Sequence, residues 1–416
     1  MPNPFKPTAG KTPPVLVGRQ DILEDFRFAL TDGPGAPGRL RYITGPRGVG
    51  KTVMLNAIGD YARNLGWTVI DQTAERGFAE GIIQALNDHR SVQPNAITLP
   101  SASIATPVLG AEATVNLGKV ELRRLEKAHN LRLAIGAKLD SLDESRQGVL
   151  ITLDEVQMTS IEEIRSLAIG VQHLIREDRN VAFVFAGLPS MVEEVINDKV
   201  ITFLRRAEKD HLGSVDLREI WIAFEQTISQ YGKRADYQVL NELTQATNGY
   251  PFMIQLVGYW AWRYADVNGH DDRITVDDAE QGIRRAKLKL GDMVHAPAFD
   301  GLSAMAKDYL IAMSQDDGPS RTADIARRIE RNAQFASVYR AQLIEEDIIE
   351  PAGYGYVDFK IPYLRDYLKE HAAHHQMKMT IRNMLREGES LKELNPKKTE
   401  PKTEPRGSRE PRGSES

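Results

Sequence analysis

Cysteine is absent from the 416 residues of this chain. Disulfide bridges, thiolate metal sites and a cysteine nucleophile are therefore excluded, and the composition fits a reducing compartment. Long apolar runs are missing as well, since stretches such as VAFVFAGL are far too short to span a bilayer. The first residues, MPNPFKPTAGKTPP, lack the apolar segment of a signal peptide. We therefore expect a soluble protein of the cytoplasm.

A large excess of charge of one sign is also lacking. The net charge is −5, which does not favour a protein that coats nucleic acid or an acidic membrane. The length favours two or three domains rather than one.

The N-terminal half alternates strand patterns with helix patterns. Apolar runs predict strands at 39–44 (RLRYIT), 67–73 (WTVIDQT), 148–157 (GVLITLDEVQ) and 180–190 (NVAFVFAGLPS). Amphipathic segments such as IEEIRSLAIGVQHLIRE predict helices. Strands that alternate with helices indicate an α/β fold with a parallel sheet and right-handed crossovers.

The remaining segments divide the chain further. From about residue 218 amphipathic helices replace the strands, which predicts a helical lid over 218–299. In 300–375 three short helices, the hairpin GYGYVDFK and a closing helix follow one another, the order of a winged helix. Residues 1–14 and most of 376–416 are predicted to be disordered. We read 74–147 as a less regular insertion in a core over 15–217, and its segment SASIATPVLGAEATVNLG predicts an exposed hairpin.

A glycine-rich loop follows the first strand. GPRGVGKT matches G-x-x-x-x-G-K-[ST], a loop whose backbone N–H groups surround phosphate oxygens at the start of a helix. The pattern places a lysine on the β- and γ-phosphates and a hydroxyl on Mg²⁺. A strand before the motif and a helix after it give the required context. The residues that we expect to hold the nucleotide here are Gly45, Pro46, Arg47, Gly48, Val49, Gly50, Lys51, Thr52 and Val53.

Two acids follow the third predicted strand. Asp154 and Glu155 lie at its carboxyl end, where open α/β sheets bind their ligands. We expect Asp154 to hold Mg²⁺ through water, together with Thr52, and Glu155 to polarise an attacking water. An acid beside the metal ligand suits hydrolysis. No Asn-Lys-x-Asp guanine motif appears, so ATP with Mg²⁺ is the expected nucleotide.

With these motifs the chain resembles the AAA+ and STAND P-loop ATPases, and most closely their archaeal and replication-initiator-like branch with a C-terminal winged helix. The resemblance covers about residues 15–370. LVGRQDIL resembles the motif that opens such modules and contacts adenine, which implies this role for Val17, Gly18 and Arg19.

Two further segments carry the resemblance. FLRRAEKDHLGSVDL resembles the segment with an arginine finger, which implies a catalytic role for Arg205 or Arg206, supplied to a neighbouring subunit of a homo-oligomer. NGYPF resembles the lid motif G-x-P, which implies nucleotide contacts by Gly249 and Pro251. The chain departs from the family where the fourth strand ends in FAGLPS, since Gly187 occupies the place of the polar sensor. We therefore expect slow turnover.

The sequence of the predicted winged helix gives little support for DNA binding. Residues 303–370 contain nine basic and twelve acidic residues, a net charge of −3, whereas DNA binding needs positive charge that faces phosphate. We favour an ATPase that acts as a nucleotide-dependent conformational switch toward a protein partner that the sequence does not identify. Two alternatives stay open: a DNA-acting ATPase (an initiator, transposition helper or transcription regulator), and a nucleotide-binding scaffold with negligible turnover.

Overall fold

The N-terminal half is built around a sheet of five parallel strands. In this computed structural model, residues 2–8, 10–87, 130–142 and 147–371 are described. The strands of the sheet are β1 (Leu40–Thr44), β2 (Thr68–Thr73), β3 (Val149–Asp154), β4 (Val181–Gly187) and β5 (Glu208–His211). They are all parallel and lie in the order β2-β3-β4-β1-β5. The predicted parallel α/β sheet is confirmed.

Helices cover both faces of this sheet and form the rest of the molecule. In chain order they are α1 (Gln20–Thr31), α2 (Lys51–Asn64), α3 (Phe78–Asn87), α4 (130–140), α5 (Ile161–Arg176), α6 (Pro189–Ile196), α7 (Leu217–Gln230), α8 (Tyr237–Thr247), α9 (Pro251–Val267), α10 (Val276–Leu290), α11 (Ala296–Asp300), α12 (Ala304–Ser314), α13 (Thr322–Arg328), α14 (Ala333–Glu345) and α15 (364–371). Among the described residues, no helix is both long and apolar enough to cross a membrane.

Side chains alternate between two cores on the two faces of the sheet. Leu150 and Ala182 belong to the core that contains α1, α2 and the helices α7 to α10. Val149 and Phe183 belong to the core that contains α3, α4, α5 and α6. Strands β3 and β4 are apolar over nearly their whole length because both of their faces are covered.

The C-terminal unit has its own core and a small sheet. Strands β8 (Ser320–Arg321), β9 (Ile349–Pro351) and β10 (Tyr356–Phe359) form an antiparallel sheet in the order β8-β10-β9. Helices α12, α13, α14 and α15 pack around it. Helices α7 to α10 form the helical unit (217–290), which precedes the C-terminal unit. A further pair of short parallel strands, β6 (Arg234–Ala235) and β7 (Arg273–Ile274), lies within this helical unit.

The expectation of a disordered N-terminus is wrong for the described residues 2–8 and 10–14. Phe5 is 3% exposed and packs against Phe224 of α7, with ring centroids 5.8 Å apart. The Asn3 side chain donates to the Tyr259 carbonyl at 2.9 Å. One aromatic residue buried in a groove of the helical unit orders a segment whose proline content would otherwise favour an extended, solvated chain.

Other predictions fall partly or wholly outside the described residues. Within the insertion predicted over 74–147, the structure describes α3 and α4. The helical spacing of KVELRRLEKAHNLRLAIGAKLDSL (119–142) predicts a helix where α4 lies, whereas α3 was missed. The predicted hairpin between these helices and the predicted disordered tail lie outside the described residues. The edge strand β5 was also missed, because its sequence EKDH is charged rather than apolar.

His295 lies buried where the helical unit meets the C-terminal unit. Its ring is 1% exposed, and Nε2 donates to the carbonyl of Pro362 at 2.8 Å. Burial lowers the pKa of His295 from 6.5 to about 4, although Asp366 acts in the opposite direction. The Nδ1 atom has no hydrogen-bond partner among the described residues. The folded protein therefore keeps this imidazole neutral.

This burial predicts a loss of stability in mild acid. Between the two pKa values the unfolded chain binds the proton and the folded chain does not, so the free energy of unfolding falls as the pH falls from 6.5 toward about 4. The contribution of His295 reaches about 3 kcal/mol at the acid end. Urea unfolding across this range should show a shallower pH dependence for His295→Gln, which keeps a donor at the Nε2 position. Parallel curves for the two proteins would contradict the assignment.

Candidate nucleotide site

A cavity of about 1020 Å³ opens at the carboxyl edge of the central sheet. Its lining comes from the loop between β1 and α2, the residues at the ends of β3 and β4, the start of α9, the segment 293–298, and the C-terminal end of α14. The N-terminal segment completes the wall. The lining residues include Lys6, Lys11, Val17, Arg47, Gly48, Lys51, Thr52, Asp154, Glu155, Gly187, Pro251, Gln342, Glu345 and Glu346.

The glycine loop takes the shape that its sequence predicts. Gly50 is the residue before α2 and has a φ of 96°, a left-handed conformation that glycine adopts without strain. Gly48 lies against the hydroxyl end of Tyr250, and a Cβ on it would come within 1.8 Å of that hydroxyl oxygen. The loop therefore needs glycine at Gly48 for close approach and at Gly50 for backbone geometry.

Lys51 is the first residue of α2 and its side chain turns back over the loop. Its Nζ donates to the carbonyls of Gly45 at 2.7 Å and Pro46 at 2.8 Å. Burial lowers the pKa of Lys51 to about 8, while the carboxylates of Asp154 and Asp347 act in the opposite direction. The ammonium group is thus partly desolvated and donates to two neutral acceptors at the cavity. An anionic phosphate would accept stronger hydrogen bonds from it than these carbonyls do.

Thr52 and Asp154 meet across the cavity floor. The Thr52 hydroxyl donates to Asp154 Oδ2 at 2.6 Å, which joins the start of α2 to the end of β3. A hydroxyl and a carboxylate are the oxygen ligands that Mg²⁺ accepts beside phosphate and water. The two residues predicted to hold the metal therefore lie together and have suitable chemistry for it.

Glu155 follows Asp154 at the point where the chain leaves the sheet. It is exposed, lines the cavity, and has a φ of 54°, which is uncommon for a residue other than glycine. Its own N–H donates to Asp154 Oδ1 at 2.8 Å, and the next N–H, that of Val156, donates to the Ala186 carbonyl. Strained backbone of this kind concentrates at functional sites, and here it turns Glu155 away from the strand direction.

The predicted adenine motif is only partly at the cavity. Val17 lines it. Arg19 instead donates to the carbonyl of Gly213 at 2.6 Å and to that of Gly18 at 3.2 Å. Burial lowers the pKa of Arg19, and Glu219 partly offsets this. In this arrangement Arg19 fastens the loop after β5 to the turn before α1.

The lid motif reaches the loop through a residue that the sequence reasoning missed. Pro251 lines the cavity, and the Gly249 carbonyl accepts from Val215 N–H at 2.8 Å. Between them, Tyr250 donates its hydroxyl to the Arg47 carbonyl at 2.9 Å, and burial raises the pKa of this phenol. The residue was visible in NGYPF, but its role depends on the approach of the lid to Gly48, which no local pattern encodes.

The candidate arginine fingers lie apart from this chain's own cavity. Arg205 donates to the carbonyls of Ile196 and Asn197, both at 3.3 Å, and is exposed together with Arg206. Neither is among the lining residues. Their catalytic role stays a prediction that requires a neighbouring subunit.

The end of β4 is the place where the family often has a polar sensor residue. Gly187 ends β4 and lines the cavity without a polar side chain. Ser190, a short distance further on, donates its hydroxyl to the Glu345 carbonyl at 3.1 Å. The hydroxyl nearest to the sensor position therefore ties the core to the C-terminal unit.

Two sets of lining residues lie far from every motif in the sequence. Lys6 and Lys11 come from the N-terminal segment, and the Gly10 carbonyl accepts from the Asn56 side chain of α2 at 2.7 Å. Glu345 and Glu346 come from the C-terminal unit. Their presence at the cavity follows from tertiary packing, which no pattern in the sequence signals.

Known families and structures agree with this geometry. Residues 15–184 match a family model described as AAA ATPase domain, and residues 292–368 match one described as a domain of unknown function (DUF8462). No curated protein matches the chain.

Solved structures share the fold. The Walker-type ATPase PABY2304 of Pyrococcus abyssi superposes with a TM-score of 0.60 at 12% identity, over 85% of this chain and 96% of that chain. The ORC2 protein of Aeropyrum pernix, in ADPNP–ADP complexes, gives a TM-score of 0.56 at 14% identity, over 90% of this chain and 98% of that chain. Likeness at these identities concerns the fold. The matching family model, with the phosphate loop inside its match, identifies residues 15–184 as an AAA ATPase domain.

Proposed function

We propose that this ATPase works as a nucleotide-dependent conformational switch of the STAND type. ATP with Mg²⁺ would bind in the cavity, with Lys51 on the β- and γ-phosphates and Thr52 and Asp154 toward the metal. Glu155 would polarise the attacking water and give slow hydrolysis. The C-terminal unit, with its three helices and β8-β10-β9 sheet, would be a winged helix that changes position with the nucleotide state.

The main support for this proposal is that residues from three units of the chain line one cavity. Lys51 comes from the core, Pro251 from the helical unit, and Glu345 from the C-terminal unit. A ligand shifts an equilibrium between arrangements only by its different affinity for each of them. A nucleotide that touches all three units has the contacts needed to favour one arrangement over another.

Tyr250 gives the lid a direct connection to the phosphate loop. Its hydrogen bond to the Arg47 carbonyl joins the residue before α9 to the backbone that would hold phosphate. Loop movement on nucleotide binding would therefore be transmitted to α9 through a single hydroxyl.

Hydrogen exchange tests the switch. Addition of ADP, and separately of a non-hydrolysable ATP analogue, should change amide protection in the first turns of α9 and in the segment that joins α14 to β9. In Tyr250→Phe the response of α9 should shrink while nucleotide still binds. Tyr237→Phe, which alters an exposed tyrosine on α8, is the matched control. Equal protection in all nucleotide states would refute the switch.

The side chains of α13 weigh against DNA binding by the C-terminal unit. Arg328 donates to both carboxylate oxygens of Asp316, at 2.7 and 2.5 Å, and Arg327 pairs with Asp324. Arginines already paired with carboxylates contribute little to phosphate binding. Tight, salt-sensitive gel shifts in the presence of ATP would nevertheless favour the DNA-acting alternative over the switch.

An arginine finger from Arg206 could act only in a homo-oligomer, at the cavity of a neighbouring subunit. If Arg206 of one subunit acts at the cavity of the next, Arg206→Ala should lower turnover only under conditions in which the protein associates.

A further inference from the structure

Three consecutive acids lie at the C-terminal end of α14, in a segment that we call the acidic turn (Glu345, Glu346 and Asp347). The first two line the cavity that contains Lys51 and Glu155. Asp347 is 7% exposed and makes an ion pair with Lys360 at 2.6 Å. The C-terminal unit therefore presents negative charge to the place where the AAA ATPase domain would bind an anion.

Local energetics disfavour these acids in this position. The C-terminal end of a helix carries partial negative charge, so cations are stabilising there and carboxylates are not. Asp347 in addition adopts a left-handed φ of 61°. Asp347 serves the fold of the C-terminal unit through its ion pair with Lys360, whereas Glu345 and Glu346 line the cavity, which indicates that the role of these two lies in what they face.

Specific contacts hold the acidic turn against the core. Ser190 donates to the Glu345 carbonyl at 3.1 Å, from the first turn of α6 and directly after β4. The Gln342 side chain donates to Glu346 Oε1 at 2.8 Å, which fixes that carboxylate along α14. The Ser190 contact thus anchors the turn just beyond the end of β4, and Asp154 and Glu155 line the same cavity.

The acidic turn and the phosphate loop line the same cavity. Glu345 and Glu346 share its wall with Lys51, so their negative charge would oppose an anion bound at that lysine. Because that lysine reaches the β- and γ-phosphates, and because Asp154 and Glu155 flank the terminal phosphate, the last phosphate of a triphosphate would meet the turn most closely.

From this arrangement we infer that the acidic turn determines selectivity between nucleoside di- and triphosphates. While the turn is seated, it penalises the additional charge of the γ-phosphate and leaves the diphosphate comparatively favoured. Binding of a triphosphate must then displace the turn, which moves the C-terminal unit. This inference rests on the proposed switch and assigns its charge-sensing element.

Charge-neutral variants of nearly equal shape test the assignment. In Glu345→Gln/Glu346→Gln, the ratio of dissociation constants for a non-hydrolysable ATP analogue and ADP, measured with Mg²⁺ by calorimetry, should fall about tenfold. ADP affinity itself should change less than about threefold. The matched control is Glu330→Gln/Glu350→Gln, which removes two exposed acids of the same unit that do not line the cavity and should leave the ratio unchanged.

The outcomes separate this inference from the proposed function. An unchanged ratio in the double variant, or an equal gain for both nucleotides, would overturn the selectivity role while leaving the switch in place. If the wild-type protein binds neither nucleotide, both ideas fail. The single variants Glu345→Gln and Glu346→Gln, which each keep the shape of an exposed or half-buried side chain, should each produce part of the shift. They keep the test decisive if the double variant does not fold.

Discussion

Lys51→Ala should abolish measurable ATP binding, with an affinity loss of about 100-fold or more. The Lys51 ammonium group already lies at the cavity, held by the Gly45 and Pro46 carbonyls, and is partly desolvated. A phosphate would gain a charged hydrogen bond at little further desolvation cost. Alanine removes that charge and exposes two carbonyl oxygens to the site, which repel phosphate. Calorimetry with Mg²⁺ present measures the effect.

Two comparisons make this result specific. Lys209→Ala removes an exposed lysine from β5 and should leave ATP affinity unchanged. The urea midpoint of Lys51→Ala should stay close to that of the wild type, since the two carbonyls can accept water in the open cavity. Wild-type affinity in the folded Lys51→Ala protein would show that phosphate binds elsewhere.

The pH dependence of binding gives an independent check on the same residue. The pKa of Lys51 is about 8 in the free protein, and bound phosphate must raise it. The complex therefore holds more protons than the free protein above about pH 8, so affinity should fall as the pH rises through this range. Lys51→Arg keeps its charge at these pH values and should lose this dependence, even if its affinity at pH 7 is lower.

The sequence identifies the parts of the site that local patterns encode. The loop from Gly45 to Thr52 needs a strand before it and a helix after it, and the acids Asp154 and Glu155 end an apolar strand. Both signals depend on residues close together in the chain. In the structure these two signals bring their residues together, since the Thr52 hydroxyl lies 2.6 Å from the Asp154 carboxylate.

The parts that were missed depend on packing between distant segments. Phe5 orders the N-terminal segment because α7 and α9 offer it a groove, with a glycine, Gly258, under its ring. Tyr250 acts on the loop because the lid lies above Gly48. In the sequence the acids at 345–347 count only toward the net negative charge of 303–370, which weighs against DNA binding. Their position over the cavity depends on the docking of the C-terminal unit, which composition and periodicity do not predict.

Glu155→Gln should separate ATP binding from ATP hydrolysis. Glu155 lines the cavity next to Asp154, whose own carboxylate is engaged with Thr52 and with the Glu155 N–H. Glutamine keeps the shape of the side chain and cannot accept a proton. Phosphate release should therefore fall about 100- to 10,000-fold, while the dissociation constant for ATP should stay within about threefold.

The interpretation of this experiment depends on the wild-type rate. Glu194→Gln changes an exposed acid on α6 that does not line the cavity and should keep full turnover. If Glu155→Gln hydrolyses ATP as fast as the wild type, another group activates water, and the strained backbone at this residue needs a different explanation. If the wild type itself releases no phosphate above background, the protein is a nucleotide-binding scaffold. The acidic turn would then act on the choice of bound nucleotide alone, because no hydrolysis would convert one into the other.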